Sequence, residues 1–154
     1  MVATAADTAR QIAAEHGYKP DALIEILHQV QEALGCVPEE TVPALADALN
    51  LSRAEVHGVV TFYHDFRREP AGRHVLKICR AEACQSMGSA ALVAHCERRL
   101  GISCGNTSAD GRVTFEPIYC LGLCATGPSA MMDGQVIGRL NASKLDQMLK
   151  EAGA

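Results

Sequence analysis

The amino-acid sequence predicts an α+β protein in two parts, a helical bundle over residues 1–70 and an α/β domain over residues 71–154. Three observations carry that prediction. Before residue 67 the apolar residues recur at helical spacing, in stretches bounded by capping residues, Pro and Gly. A polar stretch, RREPAGR at 67–73, then interrupts the pattern and suits a linker. Beyond it, short runs rich in branched residues alternate with helical patterns in the order β-α-β-β-β-α.

Taken in order, a first helix is expected over about residues 8–16, stopped by Gly17. Residues 21–34, DALIEILHQVQEAL, place Leu23, Ile26, Leu27, Val30 and Leu34 on one helical face between Pro20 and Gly35. A third helix over about residues 39–49 lines up Val42, Leu45, Ala46 and Leu49. Ser52 and Glu55 stand at capping-box spacing and start a fourth, carrying Val56, Val59 and Val60. Four short helices with one apolar stripe each bury those stripes against one another. In the second part HVLKIC at 74–79 reads as a strand. Residues 88–100 read as a helix with Leu92, Cys96 and Leu100 in line, closed by Gly101. RVTFEPI at 112–118 is a second strand, and AMMDGQVI at 130–137 is a hairpin turning at Asp133-Gly134. Ser143 starts a closing helix that runs to about residue 150.

Composition excludes several function classes. With 154 residues, 48% of them apolar and 21% charged, the chain is long enough for one or two small cores. It has no run of 18 apolar residues, and its start has neither a basic n-region nor an apolar h-region. Neither membrane insertion nor a signal peptide is therefore expected, and the expected compartment is the cytoplasm. A net charge of −4 without a Lys/Arg block, and 4% aromatic residues without Trp, argue against nucleic acid as a partner. Acids outnumber bases before residue 70 and not after it, which again separates two parts. There is no P-loop, no G-x-G-x-x-G after a strand and no G-x-S-x-G elbow, so the chain has no motif for binding a nicotinamide or a flavin by itself.

Seven cysteines stand out, an odd number that does not suit a disulfide framework in a reducing compartment and makes metal binding the leading explanation. Four of them, Cys79, Cys84, Cys120 and Cys124, form the pattern C-x4-C-x35-C-x3-C, each pair following a predicted strand. If those strands are neighbours, both pairs lie at one sheet edge. Four soft thiolates suit a tetrahedral zinc or an iron–sulfur cluster. Structural zinc commonly uses tight C-x2-C knuckles, whereas a [2Fe-2S] cluster, with two cysteines per iron, takes wider intervals more easily. Gly122 and Gly127 would let the backbone approach the sulfurs and adopt positive φ, and Gly122→Val is expected to crowd the site and impair loading. Redox thiols are a third reading, weakened because neither pair has the C-x-x-C spacing at a helix start. Spacing alone leaves all three open. Cys36, Cys96 and Cys104 read as small buried hydrophobes. His57 and His64 share a face if the fourth helix continues, but four cysteines are already available as ligands.

The stretches AEVHGVVTFYHDF (54–66), AGRHVLKIC (71–79), Cys84 and YCLGLCATG (119–127), with Pro128 behind, resemble the thioredoxin-like [2Fe-2S] ferredoxin family over about residues 20–150. That family includes the cluster subunit beside the flavin subunit of respiratory NADH:quinone oxidoreductase and its equivalents in NAD-linked hydrogenases and formate dehydrogenases. The resemblance implies a thioredoxin-like second domain and a [2Fe-2S] cofactor, with Cys79 and Cys84 on one iron and Cys120 and Cys124 on the other. It also implies an N-terminal bundle that packs against a flavin- and NAD-binding subunit, and an electron-transfer role without catalytic residues of its own. CRAEACQSMG at 79–88 together with AEVHGVVTFYH at 54–64 is most similar to the branch formed by gamma subunits of soluble NAD-dependent formate dehydrogenases, which adds a molybdenum-containing catalytic subunit to the expected partners. Respiratory members commonly carry a Thr between the first two cysteines, where this chain has Arg80, Ala81, Glu82 and Ala83. The alternatives are the respiratory or hydrogenase subunit and, from another class, a zinc-stabilised interaction module. Pro128 stands just before a strand, where the fold often has a cis proline.

Overall fold

Capping decides where the helices of the first half begin. In the computed structural model, which describes residues 3–154, Thr4 caps α1 (Ala5–Glu15): its hydroxyl accepts the Asp7 N–H and the Asp7 carboxylate accepts the Thr4 N–H. The helix therefore starts earlier than apolar periodicity alone places it. Met1 and Val2, with which the sequence-derived first domain begins, lie outside the described residues. Pro20–Ala22 form a single 3-10 turn leading into α2 (Leu23–Leu34), which ends at Gly35 with φ 78°. Next comes α3 (Thr41–Leu49), closed by Asn50 at φ 54°. It begins later than expected because residues 38–41 make a turn, with the Thr41 N–H and hydroxyl both donating to the Pro38 carbonyl. Ser52 and Glu55 form the expected capping box at the start of α4 (Arg53–Phe62).

The chain divides into two compact units, one ending at Pro70 and the other spanning Ala71–Ala154. In the first, Ile26, Leu27, Val30, Leu45, Leu49 and Val56 are fully buried together, as the apolar stripes require. Gln31 ties the tail behind α4 back to α2, donating to the Asp65 carbonyl at 2.8 Å and accepting the Arg67 N–H at 2.6 Å.

The second unit is built on a five-stranded sheet in the order β2-β3-β1-β4-β5. Its strands are β1 (His74–Cys79), β2 (Asn106–Thr107), β3 (Val113–Ile118), β4 (Ala130–Met132) and β5 (Gln135–Ile137). β1 sits at the centre, parallel to β3 and antiparallel to β4. Three helices complete it: α5 (Glu82–Ser86), α6 (Ser89–Leu100) and α7 (Ala142–Glu151). Leu76, Ile78 and Phe115 from the sheet and Leu145 and Leu149 from α7 form the dry centre of this core. Two elements depart from the expected order. α5 has five residues, too few for a periodic stripe, and β2 has two exposed residues that exist as a strand only by pairing with β3. The closing helix starts at Ala142, capped by Asn141, whose side-chain oxygen accepts the Lys144 N–H. The hairpin turn is the expected one: Asp133 and Gly134 both have positive φ, 49° and 84°, and Asp133 also accepts the Val75 N–H. Among the described residues no helix is long and apolar enough to cross a membrane.

Candidate metal centre

Parallel pairing of β1 and β3 brings their C-terminal ends to one edge, with Cys79 opposite Ile118. The Arg80 N–H extends that pairing to the Ile118 carbonyl at 2.8 Å, so the loop after each strand leaves from the same place. Both loops carry cysteines. Cys79 ends β1 and Cys84 lies within α5, and both are buried; Cys120 and Cys124 are exposed. The Cys120 and Cys124 sulfurs are 3.8 Å apart, and the Gly122 N–H points at the Cys120 sulfur at 3.4 Å. Cys79 joins the two loops: the backbone N–H groups of Ala81 and Cys120, the Cys84 thiol and the Ser129 hydroxyl all face its sulfur and favour its thiolate.

The electrostatics follow from this crowding. Burial pushes the Cys79 thiol up, but these four groups together outweigh burial and leave it below the ordinary thiol value. Cys124 is pushed the other way, by the hydrogen bond and like charge of Cys120 and then by the more distant charges of Cys84 and Cys79. Four thiolates in one place repel one another, and a positively charged core bound between them removes that cost. The Cys120 and Cys124 sulfurs form one close pair and the Cys84 thiol faces Cys79, and two pairs of soft thiolates are a donor set that fits two irons with two thiolates each.

Backbone conformation holds the exposed pair. Cys120 itself has φ 90°, a left-handed conformation that is uncommon for a residue with a side chain and stores roughly 1–3 kcal/mol. Gly122 follows at φ 74°, and a Cβ there would meet nothing within 4 Å. No protein atom among the described residues crowds that position, so what the fold itself asks of Gly122 is its positive φ. Gly127 differs from expectation. Its φ of −66° suits any residue, and an added Cβ would make ordinary contacts of 3.5 Å with the Cys84 sulfur and the Cys124 carbonyl. Cys124–Thr126 make one 3-10 turn, buttressed from behind where the Arg139 N–H donates to the Thr126 carbonyl and a Cβ on Gly138 would come within 2.6 Å of the Thr126 hydroxyl. The Gly127–Pro128 bond is cis.

Cys96 is fully buried on α6, its thiol pushed up to about 12 by burial and then by Cys104 and Glu97. Burial likewise raises Cys36, which is buried, and Cys104, which is half-buried rather than buried as expected and is held back by the nearby Arg80 charge. His57 and His64 do not share a helical face, because α4 stops at Phe62 and the chain turns extended at Tyr63. Sequence reasoning missed Ser129, which meets both buried cysteines. Its only local signal is its place between Pro128 and a strand, and the partner it meets comes from β1, far away in sequence.

Residues 9–153 match the model of a family described as thioredoxin-like [2Fe-2S] ferredoxin. One subunit of the NADH-quinone oxidoreductase of Pseudomonas aeruginosa is 36% identical over 129 residues, covering 84% of this chain and 78% of the relative. The NADP-reducing hydrogenase subunit HndA of Solidesulfovibrio fructosivorans is 31% identical over 129 residues, covering 84% and 75%. Among solved structures, the NAD+-reducing [NiFe]-hydrogenase in its air-oxidized state superposes with a TM-score of 0.72 at 26% identity, covering 86% of this chain and 23% of the hydrogenase chain.

Proposed function

Because the chain belongs to the thioredoxin-like [2Fe-2S] ferredoxin family, whose cofactor is a [2Fe-2S] cluster, we propose that Cys79 and Cys84 hold one iron and Cys120 and Cys124 the other. The protein is then the electron-transfer subunit of an NADH-linked oxidoreductase complex, working beside an FMN- and NAD-binding subunit. The observation that carries this reading is the meeting of the two loops at the Cys79 sulfur, which takes a backbone donor from Cys120 as well as one from Ala81. When bound, the cluster takes up and returns one electron at a time. The chain's residues do the rest: buried Cys79 and Cys84 keep water from one side, and N–H groups from Ala81, Cys120 and Gly122 offset sulfur charge. The exposed Cys120–Cys124 side is the side on which a partner exchanges electrons.

For the complex itself we infer a soluble, cytoplasmic, NAD-dependent formate dehydrogenase with a molybdenum-containing catalytic subunit. The likeness of CRAEACQSMG at 79–88 to that branch, including Arg80–Ala83 in place of the Thr of respiratory members, supports it. A respiratory or hydrogenase complex is the second reading, favoured by the relatives at 36% and 31% identity, which are parts of such complexes. Co-purification separates them: recovery with a molybdenum subunit and formate-dependent NAD reduction is expected, and recovery with quinone-linked partners rejects the formate reading. Anaerobically purified protein should be brown, with iron and sulfide in equal amounts. Colourless protein holding one zinc would mean an interaction module instead. Cys79→Ser and Cys120→Ser should each abolish or distort the EPR signal of the reduced protein.

A further inference from the structure

Ser129 is 1% exposed and lies immediately before β4, where its carbonyl accepts the Cys79 N–H at 2.9 Å. That bond continues the β1–β4 ladder one pair beyond Ile78 and Ala130. Residues directly opposite each other in an antiparallel pair project to the same face. Backbone pairing therefore aims the Ser129 side chain at the Cys79 side chain. Its Oγ stands 3.5 Å from the Cys84 sulfur and faces the Cys79 sulfur, whose thiolate it favours. The single hydroxyl proton is thus placed to be shared between both members of the buried pair. A thiolate bound to iron carries no proton, so in these contacts the Ser129 O–H is the donor and the sulfurs accept.

We propose that Ser129 is a potential-tuning residue, whose hydroxyl donates to the Cys79 and Cys84 ligand sulfurs and makes one-electron reduction of the [2Fe-2S] site more favourable. The proposal rests on the reading of these two cysteines as ligands. Reduction brings in one electron from the reductant and no proton; the added negative charge spreads onto the sulfurs, and the Ser129 proton stays on its oxygen. A donor to those sulfurs gains strength in the reduced state, and more so in a buried, low-dielectric place. The other non-cysteine donors to Cys79 are the backbone N–H groups of Ala81 and Cys120, which side-chain substitution leaves in place. Ser129 is the donor that can be removed alone.

The test is an EPR-monitored redox titration of the full chain with its cluster, using dithionite and mediators, alongside iron and sulfide analysis. Ser129→Ala is expected to retain the parent's iron and sulfide and to make reduction roughly tenfold less favourable, a drop of about 59 mV for one electron. Ser129→Thr, which keeps the hydroxyl, is expected to stay near the parent. An alanine variant within twofold of the parent overturns the proposal, as does a threonine variant that shifts as far as alanine. Should the alanine chain fail to hold its cluster, Ser129→Thr and Ser129→Val share one shape and differ in the hydroxyl; equal potentials for that pair also overturn it. Failure of the ligand reading shows separately, as Cys79→Ser and Cys84→Ser chains that keep the parent's iron content and EPR signal.

Discussion

Substitutions at Gly122 separate backbone conformation from crowding as the reason for a glycine between Cys120 and Cys124. At φ 74° any L side chain pays the left-handed penalty, and no protein atom among the described residues lies within 4 Å of an added Cβ. That penalty is roughly 1–2 kcal/mol for ordinary residues, is worst for β-branched ones and is smallest for Asn. The loop already carries Cys120 at φ 90°, so the costs fall on the same short segment. The Gly122 N–H that points at the Cys120 sulfur is backbone and survives every substitution. As the empty variant loop relaxes and must return to this φ to load, Gly122→Ala should lower the equilibrium for cluster loading by about 1 kcal/mol, near fivefold, and Gly122→Val by about 2 kcal/mol, near thirtyfold. Gly122→Asn should lose only a few tenths of a kcal/mol, although its side chain is about as large as that of valine. Iron and sulfide per chain after anaerobic reconstitution at limiting iron is the assay. Equal losses for Asn and Val would show that volume, not conformation, decides. Parent-like loading for both Ala and Val would refute the conformational argument altogether.

Asp133 gives a pH test. Burial raises its carboxyl, but the His74 side chain and the Val75 N–H outweigh burial and hold it below the ordinary value. Its contribution to stability is whole above the unfolded value of about 3.9 and is lost as pH falls through the lower folded value. Thermal unfolding of Asp133→Asn should accordingly be less acid-sensitive than the parent's below about pH 4. Ser89, at the start of α6, has a buried hydroxyl without a hydrogen-bond partner among the described residues. Ser89→Ala should stabilise the protein by up to about 1 kcal/mol in urea unfolding, and a destabilised variant would mean that the hydroxyl is paired. Cys96→Ser places a hydroxyl in a fully buried site on α6, so it should cost about 1–3 kcal/mol while leaving the EPR signal of the reduced protein unchanged. Loss of that signal would make Cys96 a ligand and overturn the assignment.

Local rules made much of the fold legible. Ser52 and Glu55 announce α4, the stripe from Leu23 to Leu34 announces α2, and Asp133-Gly134 announces a hairpin, because each signal and its consequence lie within a few residues. The misses have one cause. α5 is too short for periodicity, and β2 is a strand only because β3 lies beside it. The helical face imagined for His57 and His64 vanishes because α4 ends between them. Gly122 and Gly127 look alike in sequence, yet only Gly122 takes a positive φ, since the path of each depends on where the loop must go.

By itself the sequence determined the chemistry on offer: four thiols at spacings suited to a cluster, a glycine beside them, helices with one apolar face each, and no motif for a nucleotide. Tertiary structure alone decided where those thiols stand. Parallel pairing of β1 with β3 brings the two cysteine loops to one edge, and antiparallel pairing of β1 with β4 delivers the Ser129 hydroxyl to the buried pair. Burial then separates Cys79 and Cys84 from the exposed Cys120 and Cys124. The physical reason is range: caps, turns and stripes act between near neighbours, whereas strand partners are chosen by which distant segments bury the most apolar surface together.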